Sequence, residues 1–339
     1  SHLYQLFQWM PPLTLLGESE KVAFVFRDPE SYAAFCKRFP ARPAYCYPSL
    51  RRLNARLAES SIRCMAYVNN GMRNFQALIY RDALHVHLNH GESEKESMSS
   101  NQVKAYDKVL VVGQAAVDRY KSRLINFGGA NLIQIGRPQL DVERGVQELS
   151  TGGRKVLVYA PTWLGATDDM NYSSVVHCGL LLTRLVMDKT DYFLIYRPHP
   201  ATGSNSIVER EADKATRQFI EANSTRAITH TSGDINALFD LAEAAILDNS
   251  AAIVDYLNQD KPYLIMDIGL VGKFPTGLPA ILGRSPRATP EQLMAEPDNI
   301  FNALASDLHA SSRRELKSYY LGNLARGEAT SNFIRVMRQ

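Results

Sequence analysis

Short, uniformly apolar runs recur along the chain, with amphipathic stretches between them. In the first part, VAFVFRD (22–28), IRCMAYV (62–68), ALHVHLN (83–89), KVLVVG (108–113) and LIQIG (132–136) predict strands. Between them, DPESYAAFCKRF (28–39) predicts a helix with Asp28 near its N-cap and Pro29 in its first turn. PSLRRLNARLAES (48–60) predicts an amphipathic helix with a basic face, and AAVDRYKSRLINFG (115–128) a helix closed by glycine. A second series opens at KVLVYAP (155–161). It predicts strands at 192–200, 227–230, 244–249 and 261–267, and helices at 173–188, 206–222, 234–243 and 250–259. Strands that are apolar throughout belong to parallel sheets covered on both faces by helices. Two such series predict two doubly wound α/β domains, joined by the polar ERGVQELSTGGRK (143–155). From about Pro297 the tail predicts one or two basic surface helices.

Length agrees with two domains, since 339 residues exceed what one compact core usually holds. The net charge of +3 does not suit a general nucleic-acid binder, but it leaves room for a local basic patch facing an anionic substrate or a lipid surface. Arg51, Arg52, Arg56 and Arg63 lie on or near one amphipathic helix, which suits peripheral contact with an anionic membrane. Cys36, Cys46, Cys64 and Cys178 form no CxxC pair, so no zinc site and no metal are expected, and so few cysteines suggest reduced thiols and a cytoplasmic setting. No apolar run approaches the ~20 residues of a membrane span. The opening SHLYQLFQWMPPLTLL lacks a basic n-region and a small-residue cleavage site, so no signal peptide is expected.

In open parallel sheets ligands sit beyond the carboxyl ends of strands, so residues just past strand ends carry the chemistry. Four such places stand out. After the strand at 83–89 come His90, Gly91 and Lys95: an imidazole able to take a hydroxyl proton, a glycine allowing close backbone approach, and a cation for phosphate. YAPTW (159–163) ends a strand at Pro161 and presents Thr162. In IYRPHP (195–200) two prolines stiffen a tip bearing Arg197 and His199, the fork and ring that suit a diphosphate. ILDNSAAIVDYL (246–257) ends a strand at Asp248 and starts a helix at Ser250, where Ala251 leaves the first amides uncovered for an anion. Asp234 is the expected cap of the preceding helix. No GxSxG, GxxxxGK[ST] or GxGxxG occurs, which disfavours a serine nucleophile, a P-loop ATPase and a hydride enzyme.

Together these stretches resemble the CDP-glycerol glycerophosphotransferase family, the teichoic-acid and capsule polymerases and primases. The family's W-H-G-x-x-x-K is matched by NHGESEK, with His90, Gly91 and Lys95. Its G-R-P-x-x-D is matched by GRPQLD (136–141), its Y-A-P-T-W by Tyr159–Trp163 and its R-P-H-P by Arg197–Pro200. Its helix-start motif is matched by DNSAAIVDY, with Asp248, Ser250, Asp255 and Tyr256. The matches run in order from about residue 66 to 267.

The resemblance implies a GT-B fold, two facing Rossmann-like domains with the active cleft between them. Residues 1–145 would form the acceptor-side domain, 151–320 the donor-binding domain, and 321–339 a helical tail suited to packing back on the first. It implies transfer of glycerol phosphate, or a related polyol phosphate, from a CDP-linked donor to a hydroxyl of a cell-wall or capsule polymer or lipid-linked acceptor, with release of CMP and no cofactor. By position, His90 would be the general base. Arg197 and His199 would hold the diphosphate or stabilise leaving CMP, and His199 would gain from being charged. Ser250 and Ala251 would hold phosphate, and Thr162 and Asp234 would lie near the nucleotide. Lys95, Gly91, Arg137 and Asp248 complete the donor set. The chain departs from the pattern at Asn89, where the family has tryptophan, and at Glu92-Ser93-Glu94, which adds carboxylates to a phosphate site; the segment from Ile268 on departs as well. Two other readings stay open: a GT-B glycosyltransferase or epimerase using a UDP- or GDP-sugar, and an inactive GT-B scaffold that binds polymer or partners.

Overall fold

The computed structural model describes residues 3–95, 98–145, 149–165, 171–274 and 277–339. These divide into two compact units. The first is Ser1–Gly91, Ser99–Glu143 and Tyr320–Gln339; the second is Glu92–Met98 and Arg144–Tyr319. The expected linker at 143–155 includes residues 146–148, which lie outside the described residues.

The first unit opens with α1 (Leu3–Leu16), a helix holding Pro11 and Pro12 in its interior. Sequence reasoning assigned no element there, because a Pro-Pro pair reads as a helix breaker. The helix persists because its apolar positions are buried: Trp9, Met10, Leu13 and Leu16 join Phe24, Phe35, Val86 and Leu88 in one core. Strands β1 (Phe24–Phe26) and β2 (Ala44–Cys46) form a parallel pair around α2 (Pro29–Arg38). As expected, Asp28 caps α2 by accepting from the Ser31 N–H. Helix α3 (Leu50–Ala58) buries Leu53 and Leu57 and exposes Arg51, Arg52 and Arg56. Then β3 (Cys64–Tyr67), the short α4 (Met72–Phe75), β4 (Leu84–His87), β5 (Lys108–Val111), α5 (Gln114–Arg123) and β6 (Leu132–Gln134) complete a parallel sheet in the order β3-β4-β5-β6.

The second unit is built on six parallel strands: β7 (Val156–Ala160), β8 (Phe193–Tyr196), β9 (Ala227–Thr229), β10 (Ala242–Leu247), β11 (Tyr263–Met266) and β12 (Arg287–Ala288). Their spatial order is β12-β11-β10-β7-β8-β9. Chain order therefore reverses between β7 and β10, the switch point at which open α/β sheets leave a crevice. Helices α6 (Leu180–Lys189), α7 (Ile207–Ala222), α8 (Ile235–Leu241), α9 (Ala251–Leu257), α10 (Leu270–Lys273), α11 (Ala280–Arg284), α12 (Pro290–Ala295), α13 (Pro297–Ala305) and α14 (Ala310–Leu321) connect and follow the strands. All residues of β7 and β8 are buried, which is why their sequences read as unbroken apolar runs. Tyr159 and Tyr196 stack across them at 5.4 Å.

The tail is not confined to surface helices. In α14, Leu316 and Tyr320 are buried. Helix α15 (Glu328–Met337) packs Phe333 against Trp9 at 5.1 Å within the first unit. The GRPQLD motif explains this docking. Asp141 accepts from the Gly327 and Thr330 N–H groups at the start of α15, at 2.9 and 2.7 Å. Gly136, at φ +82°, lets the chain run so close to α15 that a Cβ would sit 2.8 Å from that of Ala329.

Candidate functional site

In the first unit the strand β4 delivers His90 half-buried, just past its carboxyl end. Asn89 before it adopts φ +59°, a conformation that asparagine tolerates and tryptophan does not. Its side chain accepts from the His90 N–H, and its carbonyl accepts from the Trp9 indole. His90 Nδ1 lies 3.1 Å from the Val68 carbonyl, which can only accept. That bond places the proton on Nδ1 and leaves Nε2 with its lone pair. Gln5 Nε2 faces it at 3.2 Å, and the Gln5 amide is oriented by Asn69, which donates to Gln5 Oε1 at 2.7 Å. The tautomer is the one a general base acting through Nε2 requires. Gln5 was missed by sequence reasoning because its helix was missed. Below the tip, His87 stacks on Tyr106 at 5.0 Å, and burial with the neighbouring His90 pushes it down to about 3. Arg137 also belongs to this unit, 5% exposed at the start of a short 3-10 turn (Pro138–Leu140).

In the second unit the switch point assembles its residues around Asp248. This carboxylate is fully buried past the end of β10. Its Oδ2 accepts from the Thr162 and Ser174 N–H groups, both at 2.9 Å, and its Oδ1 has no hydrogen-bond partner among the described residues. Burial raises the carboxyl to about 7, against the pull of those two N–H groups and of Lys95. Lys95 donates to the Thr162 hydroxyl at 3.2 Å, and burial lowers it to about 8. Asp248 thus pins the turn after β7 to the strand beside it, and Lys95 meets the hydroxyl held there.

The Arg-Pro-His-Pro tip differs from expectation in two ways. Arg197 directs three N–H groups to backbone carbonyls, those of His230, Ser232 and Gly233, at 3.0, 3.0 and 2.8 Å. Its fork holds the loop before α8, leaving little of it for a diphosphate. His199 stacks on Trp163 at 5.9 Å, with ring planes 13° apart. Its Nδ1 accepts from the Ala201 N–H at 3.1 Å, so the neutral ring carries its proton on Nε2. Burial, then the charges of Lys95 and Arg197, push His199 down to about 4. The expected gain from a charged His199 is therefore not what its surroundings favour. The neutral ring carries its N–H at Nε2.

Ser250 is the N-cap of α9, accepting from the Ala252 N–H, and Ala251 follows it half-buried. Asp234 caps α8 and pairs with Arg144 at 2.7 Å, while Arg144 also reaches Asp240 at 3.6 Å. Its carboxylate is thereby occupied with structure. Gly91 is buried where the first unit ends, and Glu92, Ser93 and Glu94 are buried in the second, at 2%, 5% and 5% exposure. The two extra carboxylates are thus withdrawn from solvent.

Glu209 escaped sequence reasoning. Ser206-x-x-Glu209 at the start of α7 has the form of a local capping box, and Ser206 does accept from the Glu209 N–H. The Glu209 carboxylate instead serves two loops. Oε1 accepts from the Leu164 N–H at 2.8 Å and the Ser173 hydroxyl at 3.1 Å; Oε2 accepts from the Gly203 N–H at 2.7 Å. It therefore ties the loop bearing Trp163 to the loop bearing His199. Lys273 and Tyr172 were missed as well. Tyr172 is 2% exposed, with the Lys95 and Lys273 amines 5.4 and 4.9 Å from its ring centre. Among the described residues no group of three or more His, Cys, Asp or Glu side chains could hold a metal, and no helix is long and apolar enough to cross a membrane.

The family model described as CDP-glycerol:poly(glycerophosphate) glycerophosphotransferase matches residues 80–270, more than half of the chain. No curated protein sequence matches it. Among solved structures, the wall teichoic acid polymerase TagF aligns at 15% identity over 99% of this chain and 97% of that one, with a TM-score of 0.59. A TagF structure soaked with CDPG gives 14% identity, the same coverage and a TM-score of 0.60. A UDP-N-acetylglucosamine 2-epimerase aligns at 13% identity over 97% of this chain and 91% of that one, with a TM-score of 0.62. At such identities the likeness establishes the fold: mixed α/β with parallel sheets, as in these GT-B enzymes.

Proposed function

The chain belongs to the CDP-glycerol:poly(glycerophosphate) glycerophosphotransferase family, and from that premise we propose that it transfers glycerol phosphate from CDP-glycerol to an acceptor hydroxyl, releasing CMP. The acceptor on this reading is a cell-wall polymer or its lipid-linked precursor. One observation carries the reading. The span matched by the family contains both an imidazole whose tautomer leaves Nε2 as a proton acceptor and the switch-point cluster of Asp248, Thr162 and Lys95.

The second unit binds the CDP-linked donor at the carboxyl ends of β7, β8 and β10. Lys95 supplies positive charge, and neutral His199 donates from Nε2 to a phosphate oxygen. The acceptor hydroxyl takes the place of the Gln5 amide at His90 Nε2. As its oxygen bonds to the phosphorus bearing glycerol, its proton passes to His90, and the bond from that phosphorus to the CMP oxygen breaks. CMP leaves with the bonding pair. Such a transfer asks for alignment and charge stabilisation more than covalent catalysis. The epimerase shares the fold, so fold alone does not choose between nucleotides; the family match does. The exposed arginines of α3 suit a peripheral contact with anionic lipid, which sedimentation with and without anionic vesicles tests.

Phosphorus NMR of the full chain incubated with CDP-glycerol, CDP-ribitol or UDP-N-acetylglucosamine, each with a glycerol-phosphate-primed acceptor, decides the reading. A new phosphodiester together with CMP is expected from CDP-glycerol. Turnover of the UDP-sugar alone would reject it.

A further inference from the structure

The two groups expected to hold a diphosphate, Arg197 and His199, bring little mobile positive charge. Arg197 keeps its charge but spends three N–H groups on the carbonyls of residues 230, 232 and 233. His199 is neutral at neutral pH. Two ammonium groups are instead gathered on one buried ring. The Lys95 and Lys273 amines lie 5.4 and 4.9 Å from the centre of Tyr172, so they are no further apart than the sum of those distances. They come from separate parts of the chain. Lys95 follows β4 in sequence and is tied to Thr162 beyond β7. Lys273 ends α10, which follows β11, the neighbour of β10 in the sheet. Both therefore belong to the edge of the sheet that carries the switch point. The ring face attracts both ammonium groups, and the Asp248 carboxylate adds to the attraction on Lys95.

We propose that Lys273 joins Lys95 in spanning the diphosphate of a nucleoside-diphosphate ligand, with Tyr172 as the platform that positions both amines. The proposal rests on the transferase reading for the identity of the nucleotide, and it adds a binding residue outside the matched span, which ends at residue 270. It also gives a role to the segment after Asp267, whose sequence departs from the family pattern.

Calorimetric titration of the full chain at low salt tests this with CDP, CMP, UDP and inorganic pyrophosphate, on the native protein, Lys273→Gln and Lys273→Arg. In Lys273→Gln, CDP and pyrophosphate should each bind about tenfold more weakly while CMP changes less than about twofold. Lys273→Arg should recover most of the loss. Thermal unfolding within about 2 °C of the native protein shows that the glutamine variant is folded. Unchanged pyrophosphate and CDP affinity in Lys273→Gln, or an equal loss for CMP and CDP, overturns the proposal. Native protein that binds UDP as tightly as CDP counts against the transferase reading only; the lysine pair is judged on pyrophosphate.

Discussion

His199 should stay neutral throughout the physiological range, and this can be read directly. An ordinary imidazole titrates near 6.5, whereas burial and the charges of Lys95 and Arg197 push this one down to about 4. At pH 6 the ordinary group is about three-quarters protonated; at pKa 4 it is about 1% protonated. The stacked indole of Trp163, 5.9 Å away, is a reporter, because an imidazolium quenches indole emission more strongly than an imidazole does. The chain has two tryptophans, so Trp9→Phe leaves Trp163 as the sole indole. Emission followed from pH 8 downward should stay flat to about pH 5, against a His199→Gln blank. Lys95→Gln should raise the midpoint, since it removes a cation that opposes protonation. The stability consequence has a definite sign. The folded pKa lies below the unfolded one, so the unfolded chain binds more protons between pH 6.5 and 4. The stability this group contributes is present above pH 6.5 and is lost as pH falls through that window. A quenching midpoint at pH 6 or above would refute the neutral-donor role.

Two further outcomes follow from the buried carboxylates. Glu209→Gln forces an amide N–H against the N–H of Leu164 or Gly203, so it should cost about 3 kcal/mol in urea unfolding. It should also lower kcat by loosening the stack of Trp163 on His199; native stability and turnover would show that Glu209 ties nothing together. Asp248 is raised to about 7, so the folded state binds the extra proton between pH 3.8 and 7, and its contribution to stability is lost as pH rises through that window. The native protein should therefore lose about 2 kcal/mol relative to Asp248→Asn between pH 5 and pH 7, whereas a pH-independent difference would contradict that environment.

Much of the second unit was legible because its strands are buried on both faces and each ends in a residue of distinct chemistry. Asp248, Thr162 and Lys95 were picked from positions past strand ends; the reversal of chain order at β7 and β10 brings Asp248 and Thr162 together, and Lys95, which follows β4, reaches the Thr162 hydroxyl. The protonation state of His199 was not legible, because it depends on the Lys95 and Arg197 charges and on burial that no local pattern shows. Nor was the duty of Arg197, whose partners sit 33 to 36 residues further along the chain. Helix α1 was hidden by Pro11 and Pro12, and with it Gln5 and Trp9. Glu209 was hidden by a capping pattern that accounts for its position locally while its carboxylate serves distant loops. Only Arg137 of the GRPQLD motif was placed in the donor set; that Gly136 and Asp141 of the same motif dock the C-terminal helix was not legible, because their partners lie 186 or more residues on.

The most direct test compares the initial rate of CMP release from CDP-glycerol by the full chain and by His90→Ala, each with a primed acceptor. Loss of a positioned base should slow release by about 10² to 10⁴-fold while calorimetry still detects CDP binding. A His90→Ala rate within about twofold of native would contradict the account, because the proton of the acceptor hydroxyl would then have another destination.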